Sequence, residues 1–220
     1  MIIAIDGSSA SGKGTLSANL MKYYDAAYLD TGALYRAVGL MLLERGDSPD
    51  DAEMALEAAL MLSSQEMLSL QKNPDLRTQE VASAASKVSV IPAVRRALFD
   101  FQRDFALHPV KEDGTPVKVA ILDGRDIGTV VCPDADIKLF LTASAEVRAK
   151  RRLKDLQLKG ISAIYETVLS EIRERDERDA KRAIAPSKPA EDALVLDTSD
   201  MKSGEVLEKV LAYIKEKTNK

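Results

Sequence analysis

An α/β fold built on a parallel sheet is predicted by two features of this chain: short apolar runs alternate with amphipathic helical stretches, and a glycine-rich turn separates the first run from the first helix. The first strand is expected at Ile2 to Ile5. It leads into Gly7-Ser-Ser-Ala-Ser-Gly-Lys-Gly-Thr15, and the face Leu16, Leu20, Tyr23, Tyr24 marks the helix that follows. Further strands are expected at Ala27 to Leu29, Val117 to Leu122, Ile137 to Leu141 and Leu194 to Leu196. The last helix, about Ser203 to Lys217, carries Val206, Leu207, Val210, Leu211 and Ile214 on one face, the spacing needed to cover a sheet.

The alternation stops between Ser48 and Pro116, where the chain reads as helices only. Ser48-Pro49-Asp50-Asp51 has the form of an N-cap, a proline at the first helical position and first-turn carboxylates; Asn73-Pro74 breaks the chain, and Pro92 opens another helix. In that last helix Val94, Leu98, Phe101 and Phe105 fall at helical spacing, so the aromatics are read as core rather than as a base-stacking surface. Lys111 to Pro116 is a polar loop returning to the sheet. The stretch is an insertion carried on the core.

With 220 residues, 45% of them hydrophobic, the chain can build one sizeable core with appended elements, but not two ordinary enzymes. A net charge of -4 argues against a nucleic-acid or anionic-membrane surface, so any polyanion handled here is small. Cys132 is the only cysteine, which excludes an internal disulfide or a structural zinc cluster. The chain runs straight into its first strand, without a charged leader or an apolar stretch near the about 18 residues that span a bilayer. The expectation is a cytoplasmic protein without membrane or nucleic-acid partners, and a monomer.

The turn Gly7 to Thr15 is a phosphate cradle. Gly7 and Gly12 can adopt positive φ, so that successive backbone N–H groups converge on an anion at the positive end of the helix, and Lys13 adds a mobile full charge for the outer phosphates. Asp123 ends an apolar run, and ligands in open α/β sheets collect at the carboxyl ends of strands; beside a phosphate loop it is a candidate for holding Mg²⁺. Gly124-Arg125-Asp126 adds a cation and a second carboxylate at that edge. Arg36, in Asp30-Thr-Gly-Ala-Leu-Tyr-Arg36, is either a phosphate clamp or a solvated residue behind a helix start capped by Asp30 or Thr31.

The densest charge lies at Arg148, Arg151 and Arg152 and again at Arg173, Arg175, Arg178 and Arg182, interleaved with carboxylates. Pairs such as Glu171 with Arg175 and Glu174 with Arg178 would make an ordinary charge-laced helix. Alternatively, Arg175, Arg178 and Arg182, on one face of a segment bounded by Gly160 and Pro186, close over transferring phosphates, where such arginines contribute on the order of 10³ to 10⁵ in rate. His108 is the only histidine, which disfavours acyl transfer through a Ser-His-Asp set; phosphoryl transfer to an already ionised phosphate needs no general base.

The standard phosphate loop has Ser or Thr directly after its lysine, whereas here Gly14 stands there and Thr15 follows. With that Gly-Lys-Gly-Thr, the blocks Asp30 to Arg36, Arg77-Thr-Gln-Glu-Val-Ala-Ser-Ala-Ala-Ser86, Asp123-Gly-Arg-Asp-Ile-Gly-Thr-Val-Val131 and Arg175-Asp-Glu-Arg-Asp179 run in order over nearly the whole chain. Together they resemble the bacterial cytidylate kinases, within the nucleoside monophosphate kinases. The resemblance implies a P-loop kinase core with a five-stranded parallel sheet and helices on both faces, comprising residues 1–47 and 117–220, a helical NMP-binding insertion at 48–116 and a short lid at about 151–185. It implies that Gly7, Ser8, Ser9, Ala10, Ser11, Gly12, Lys13, Gly14 and Thr15, with Arg151, bind ATP, and that Thr15 and Asp123 serve Mg²⁺. Arg36, Arg125 and Arg182 would hold phosphates, Thr31, Ser86, Arg95 and Asp126 would bind the acceptor, and Arg175 with Asp179 would contact its ribose; Lys13, Asp123, Arg125, Arg175 and Arg182 would carry catalysis. The stretch between Arg36 and Arg77 is shorter than in many members and Lys111 to Val119 is longer, which bears on the outer wall of the acceptor pocket.

The base assignment also has a chemical basis in the residues. Cytosine offers an N4 amine to a carboxylate such as Asp126, and O2 and N3 acceptors to an arginine such as Arg95. Uracil would leave buried polar groups unpaired at about 1–3 kcal/mol each. The expected activity is therefore transfer of a phosphoryl group from ATP to CMP, and to dCMP. A small P-loop kinase for another acceptor, or a nucleotide-dependent switch, are the alternatives; the lid arginines speak against the switch.

Overall fold

The computed structural model describes residues 1–62, 73–111, 113–158, 160–181 and 185–218. Five strands, β1 (Ile2–Gly7), β2 (Ala27–Asp30), β3 (Ala120–Gly124), β4 (Ile137–Thr142) and β5 (Leu194–Asp197), form one sheet in the order β2-β3-β1-β4-β5, with every neighbouring pair parallel. The chain leaves β1 toward one edge for β2 and β3, then crosses to the other side for β4 and β5. The carboxyl end of β1 is thus the point where the winding reverses, the place at which open α/β sheets bind ligands.

Residue alternation sends each strand's side chains to two faces. Ala4, Ala120 and Leu122 pack on one side, while Ile3, Ile5, Ile121, Ile137, Leu139 and Leu141 pack on the other. The second face is covered by α1 (Lys13–Tyr24) and by the C-terminal helix α8 (Ser203–Thr218), through Leu16, Leu20, Val206, Val210 and Ile214. The first face is covered by α2 (Thr31–Arg45) and by the helices of the insertion: α3 (Ala52–Met61), a 3₁₀ turn at Pro74–Arg77, α4 (Gln79–Val88) and α5 (Pro92–Leu107). Val38, Leu42, Ala55, Val94, Leu98 and Leu122 belong to one apolar cluster, so the insertion shares its core with the sheet. Close approach of α2 and α4 requires Gly39, where an added Cβ would sit 2.9 Å from the Ala84 Cβ. Two further helices, α6 (Ala145–Leu158) and α7 (Tyr165–Ala180), pack on each other through Ala149, Leu156, Val168 and Ile172 and carry the arginine-rich segment.

Three local expectations are corrected. The third strand begins at Ala120 rather than Val117, because the Val117 N–H is turned back to the Pro109 carbonyl (3.0 Å) and Val110 bridges Pro116. The helix after Gly46 is capped by Asp51, not Ser48: the Asp51 carboxylate accepts from the Glu53 and Met54 amides at 3.0 and 3.1 Å, while Ser48 forms a turn ahead of it. Tyr23 leaves the buried face of α1, 64% exposed, and the buried Ser17 takes the place in the stripe. No helix among the described residues is long and apolar enough to cross a membrane.

Candidate active site

The turn after β1 holds Gly7 at φ 139°, Ala10 at φ 59° and Gly12 at φ 99°. Gly7 is required by packing: a Cβ there would lie 1.9 Å from the Leu141 carbonyl oxygen, so only glycine lets β1 pass β4 into the turn. Gly12 immediately precedes α1, whose first N–H groups are left to point out of the helix end. Lys13 folds back over the turn, donating to the Ser8 carbonyl (2.9 Å), and its Nζ lies 3.9 Å from the Asp123 carboxylate. Both groups are buried. Burial, reinforced by Arg125, lowers the Lys13 pKa, and burial raises that of Asp123 against the pull of Lys13.

The strand ends bring the other groups to the same edge. Asp30 and Asp123 are paired in register, Thr31 donates its hydroxyl to the Asp123 carbonyl (2.8 Å), and Asp30 caps α2. Asp30 also faces Arg36 at 3.3 Å and Arg77 at 3.7 Å, so Arg36 is held behind the cap and is not a free surface residue. Past β3, Arg95 of α5 forms an ion pair with Asp126, donates to the Ser89 carbonyl (3.2 Å) and lies over the Tyr35 ring. Arg125 donates from Nε to Asp179 of α7 at 2.9 Å, and the Arg175 Nε lies 4.0 Å from the same carboxylate oxygen.

These groups enclose a cavity of about 630 Å³. Of the residues expected in a site, Ser9, Ala10, Gly12, Lys13, Gly14, Thr15, Thr31, Arg36, Ser86, Arg95, Asp123, Arg125, Asp126, Arg151 and Arg175 line it. Gly7 and Ser8 support the turn from behind, Ser11 faces a smaller, more apolar cavity with Leu141, Met201 and Val206, and Asp179 orients two arginines from outside the wall. Arg182 lies outside the described residues. Of the two pairs expected along the charged helix, Arg178 meets Glu174 at 4.0 Å, whereas Glu171 accepts from Gln79 of the insertion (2.7 Å). Arg178 also donates to Ser86 (3.1 Å), and Arg148, buried, is tied to Asp176 (3.0 Å) and so joins α6 to α7.

Two polar residues escaped the sequence reading. Thr198, just after β5, accepts from Arg151 (3.0 Å) and donates to the Ser11 carbonyl (2.9 Å), tying the rim of the smaller cavity to the phosphate turn. Asp6 lies inside β1, and burial pushes its carboxyl up to about 7 despite the Gly128 and Ile127 amides it accepts from. An aspartate within an apolar strand was the available signal for it; nothing in the sequence marked Thr198.

The donor set suits magnesium. Thr15 and Asp123 line one cavity, and Mg²⁺ takes one or two protein oxygens together with waters and substrate phosphates. The arrangement can align two phosphate chains over Lys13 between arginines.

The chain matches the sequence model described as cytidylate kinase over residues 3–216. A cytidylate kinase of Paramagnetospirillum magneticum is 54% identical over 213 residues, 97% of each chain, and one of Rhodospirillum rubrum is 50% identical over the full length of both. That of Caulobacter sp. strain K31 is 51% identical over 91% of this chain and 87% of its own. The crystal structure of an uncharacterized protein from Eubacterium ventriosum superposes with a TM-score of 0.55 over 98% of each chain at 14% identity, a likeness of fold.

Proposed function

The chain belongs to the cytidylate kinase family, and on that premise we propose how its residues carry the family's reaction. It catalyses ATP-dependent phosphorylation of CMP, giving ADP and CDP. The observation that carries the residue assignment is the Lys13–Asp123 pair, set in one cavity between the phosphate turn and the Arg95–Asp126 pair.

An oxygen of the CMP phosphate attacks the γ-phosphorus of ATP as the bond to the β–γ bridging oxygen breaks, and the leaving charge stays on ADP. The acceptor oxygen is already ionised, so no side chain has to take a proton. The backbone amides of Gly12 to Thr15 hold the β- and γ-phosphates, and Lys13 neutralises charge as it moves from one bridging position to the other. Arg36 and Arg125 hold the acceptor phosphate, and Arg175 and Arg182 cover the transferring group. Asp179, outside the cavity wall, keeps Arg125 and Arg175 oriented before substrate arrives, and Arg175, which lines the cavity, faces the ribose. Thr15 and Asp123 would hold Mg²⁺, which would supply Lewis-acid neutralisation of phosphate charge.

Asp126 accepts from the cytosine amine, Arg95 donates to the O2 and N3 edge, and Ser86 completes the base pocket with Thr31. The same contacts admit dCMP. Residues 48–116 form the acceptor-binding insertion and about 151–185 the lid, and the protein works as a monomer in the cytoplasm. The test is ADP release with CMP, dCMP, UMP, AMP and GMP as acceptors. CMP and dCMP are expected to lead by at least tenfold, and equal use of UMP would remove the cytosine assignment.

A further inference from the structure

We propose that Asp6 is a positioning residue for acceptor recognition, setting the loop that presents Arg125 and Asp126 although it reaches neither nucleotide. The inference rests on the assignment of Asp126 to the base. Asp6 is 4% exposed and is not part of the cavity wall. Each of its carboxylate oxygens is used once: Oδ1 accepts from the Ile127 amide and Oδ2 from the Gly128 amide, both at 2.8 Å. These are the two residues that follow Asp126.

The Asp126 carbonyl in turn accepts from the Val130 and Val131 amides, at 2.9 and 3.2 Å, closing a wide turn over Ile127–Val131. Asp6 therefore supplies, from a strand 121 residues away, the capping acceptors that the start of this turn lacks. The seat is tight. A Cβ on Gly128 would lie 3.4 Å from Asp6 Oδ2 and 3.3 Å from the Lys138 stem, and one on Gly124 would lie 2.6 Å from the Ile127 side chain. The main chain on both sides of Arg125 and Asp126 is thus pinned, by β3 before and by Asp6 after.

The ionised carboxylate is needed for this, so the kinetics are read above pH 7, where Asp6 has lost its proton. An apolar side chain would strand both amides, and an asparagine can accept only one while its NH₂ faces the other.

The experiment compares the wild type with Asp6→Asn, Asp126→Asn and the double variant. It reads kcat and KM for CMP and UMP, ATP affinity by calorimetry, and Tm. Asp6→Asn is expected to raise KM for CMP by about tenfold and to lower the CMP-to-UMP preference, with ATP affinity within about twofold of wild type. In the Asp126→Asn background the same change should cost no further preference. A folded Asp6→Asn protein with unaltered preference, an equal loss of ATP affinity, or additive losses in the double variant would overturn the proposal. If Asp126→Asn alone keeps full preference, the base assignment fails instead. Should Asp6→Asn not fold, Gly128→Val, which crowds Oδ2, must show the same selective loss, and its absence overturns the proposal equally.

Discussion

Lys13 and Asp123 meet at 3.9 Å across the ends of the neighbouring strands β1 and β3, which pair in register as Ile5 with Asp123. Neither charge is comfortable. Both side chains are buried, and the lysine is pressed toward its neutral form by burial and by Arg125, so an incoming polyphosphate is what the pair is built to compensate.

The first expectation concerns the lysine itself. Lys13→Ala removes a preorganised cation from the transferring group and should lower kcat by at least about 10² to 10³ with the fold retained. Steady-state rates beside circular dichroism check this; near-wild-type turnover would take Lys13 out of catalysis.

The sign of the Lys13 shift gives a second expectation. A lysine with a lowered pKa is partly deprotonated in the free enzyme at alkaline pH, and phosphates beside it restore the ammonium. ATP binding should therefore take up protons at about pH 9, below the ordinary lysine value near 10.4. Calorimetry in buffers of different ionisation enthalpy measures the uptake, and Lys13→Met should abolish it.

Much of this architecture is legible in the sequence because it is local. The apolar period sets β1, β4 and β5, and the burial of Val206, Val210 and Ile214 follows directly from their spacing on α8. Gly7 and Gly12 announce the positive φ values that they adopt. What escapes is long range or competitive. Val117 and Val119 have the composition of strand, but the return from Pro109 claims the Val117 amide, and Ser48 loses the cap to Asp51, which sits next to the helix start. The meeting of Arg178 with Ser86, 92 residues apart, and of Thr198 with Ser11, 187 apart, depends on how the elements pack and leaves no periodic trace.

Thr198 supports a third expectation. Its hydroxyl accepts from Arg151 and donates to Ser11, so Thr198→Val leaves a buried carbonyl and a guanidinium each short of a partner, at about 1–3 kcal/mol. On the ATP side of the site, this should raise KM for ATP roughly tenfold and leave KM for CMP unchanged. A rise in KM for CMP alone would place the network on the wrong nucleotide.

Breaking the Arg95–Asp126 pair from either side should give different results. Arg95→Met leaves the Asp126 carboxylate buried without its cation, a change that typically costs about 3–5 kcal/mol, and thermal denaturation should show a clear fall in Tm. Asp126→Ala frees a guanidinium that keeps the Ser89 carbonyl and the Tyr35 ring, so it should relax cytosine preference more than it lowers stability or turnover on CMP. Loss of Tm without loss of preference in Asp126→Ala would assign the pair to the fold alone.

Asp6 carries the last expectation, on stability against pH. Its folded pKa, about 7, lies above the 3.8 of a solvent-exposed aspartate, so between these values the native state holds a proton that the unfolded chain has released. Stability contributed by this group is present in full below about 4, falls as pH rises, and is gone above about 7; the total change is on the order of 4 kcal/mol. Exposed carboxylates with lowered values, such as Asp134 and Glu146, titrate with the opposite slope and are shared by wild type and variant. Subtracting the urea-unfolding free energies of Asp6→Asn from those of wild type therefore isolates Asp6, whatever constant penalty the substitution adds. The difference should decline from pH 4 to pH 7 and then level off; a flat difference would mean that Asp6 is ionised in the folded protein throughout that range.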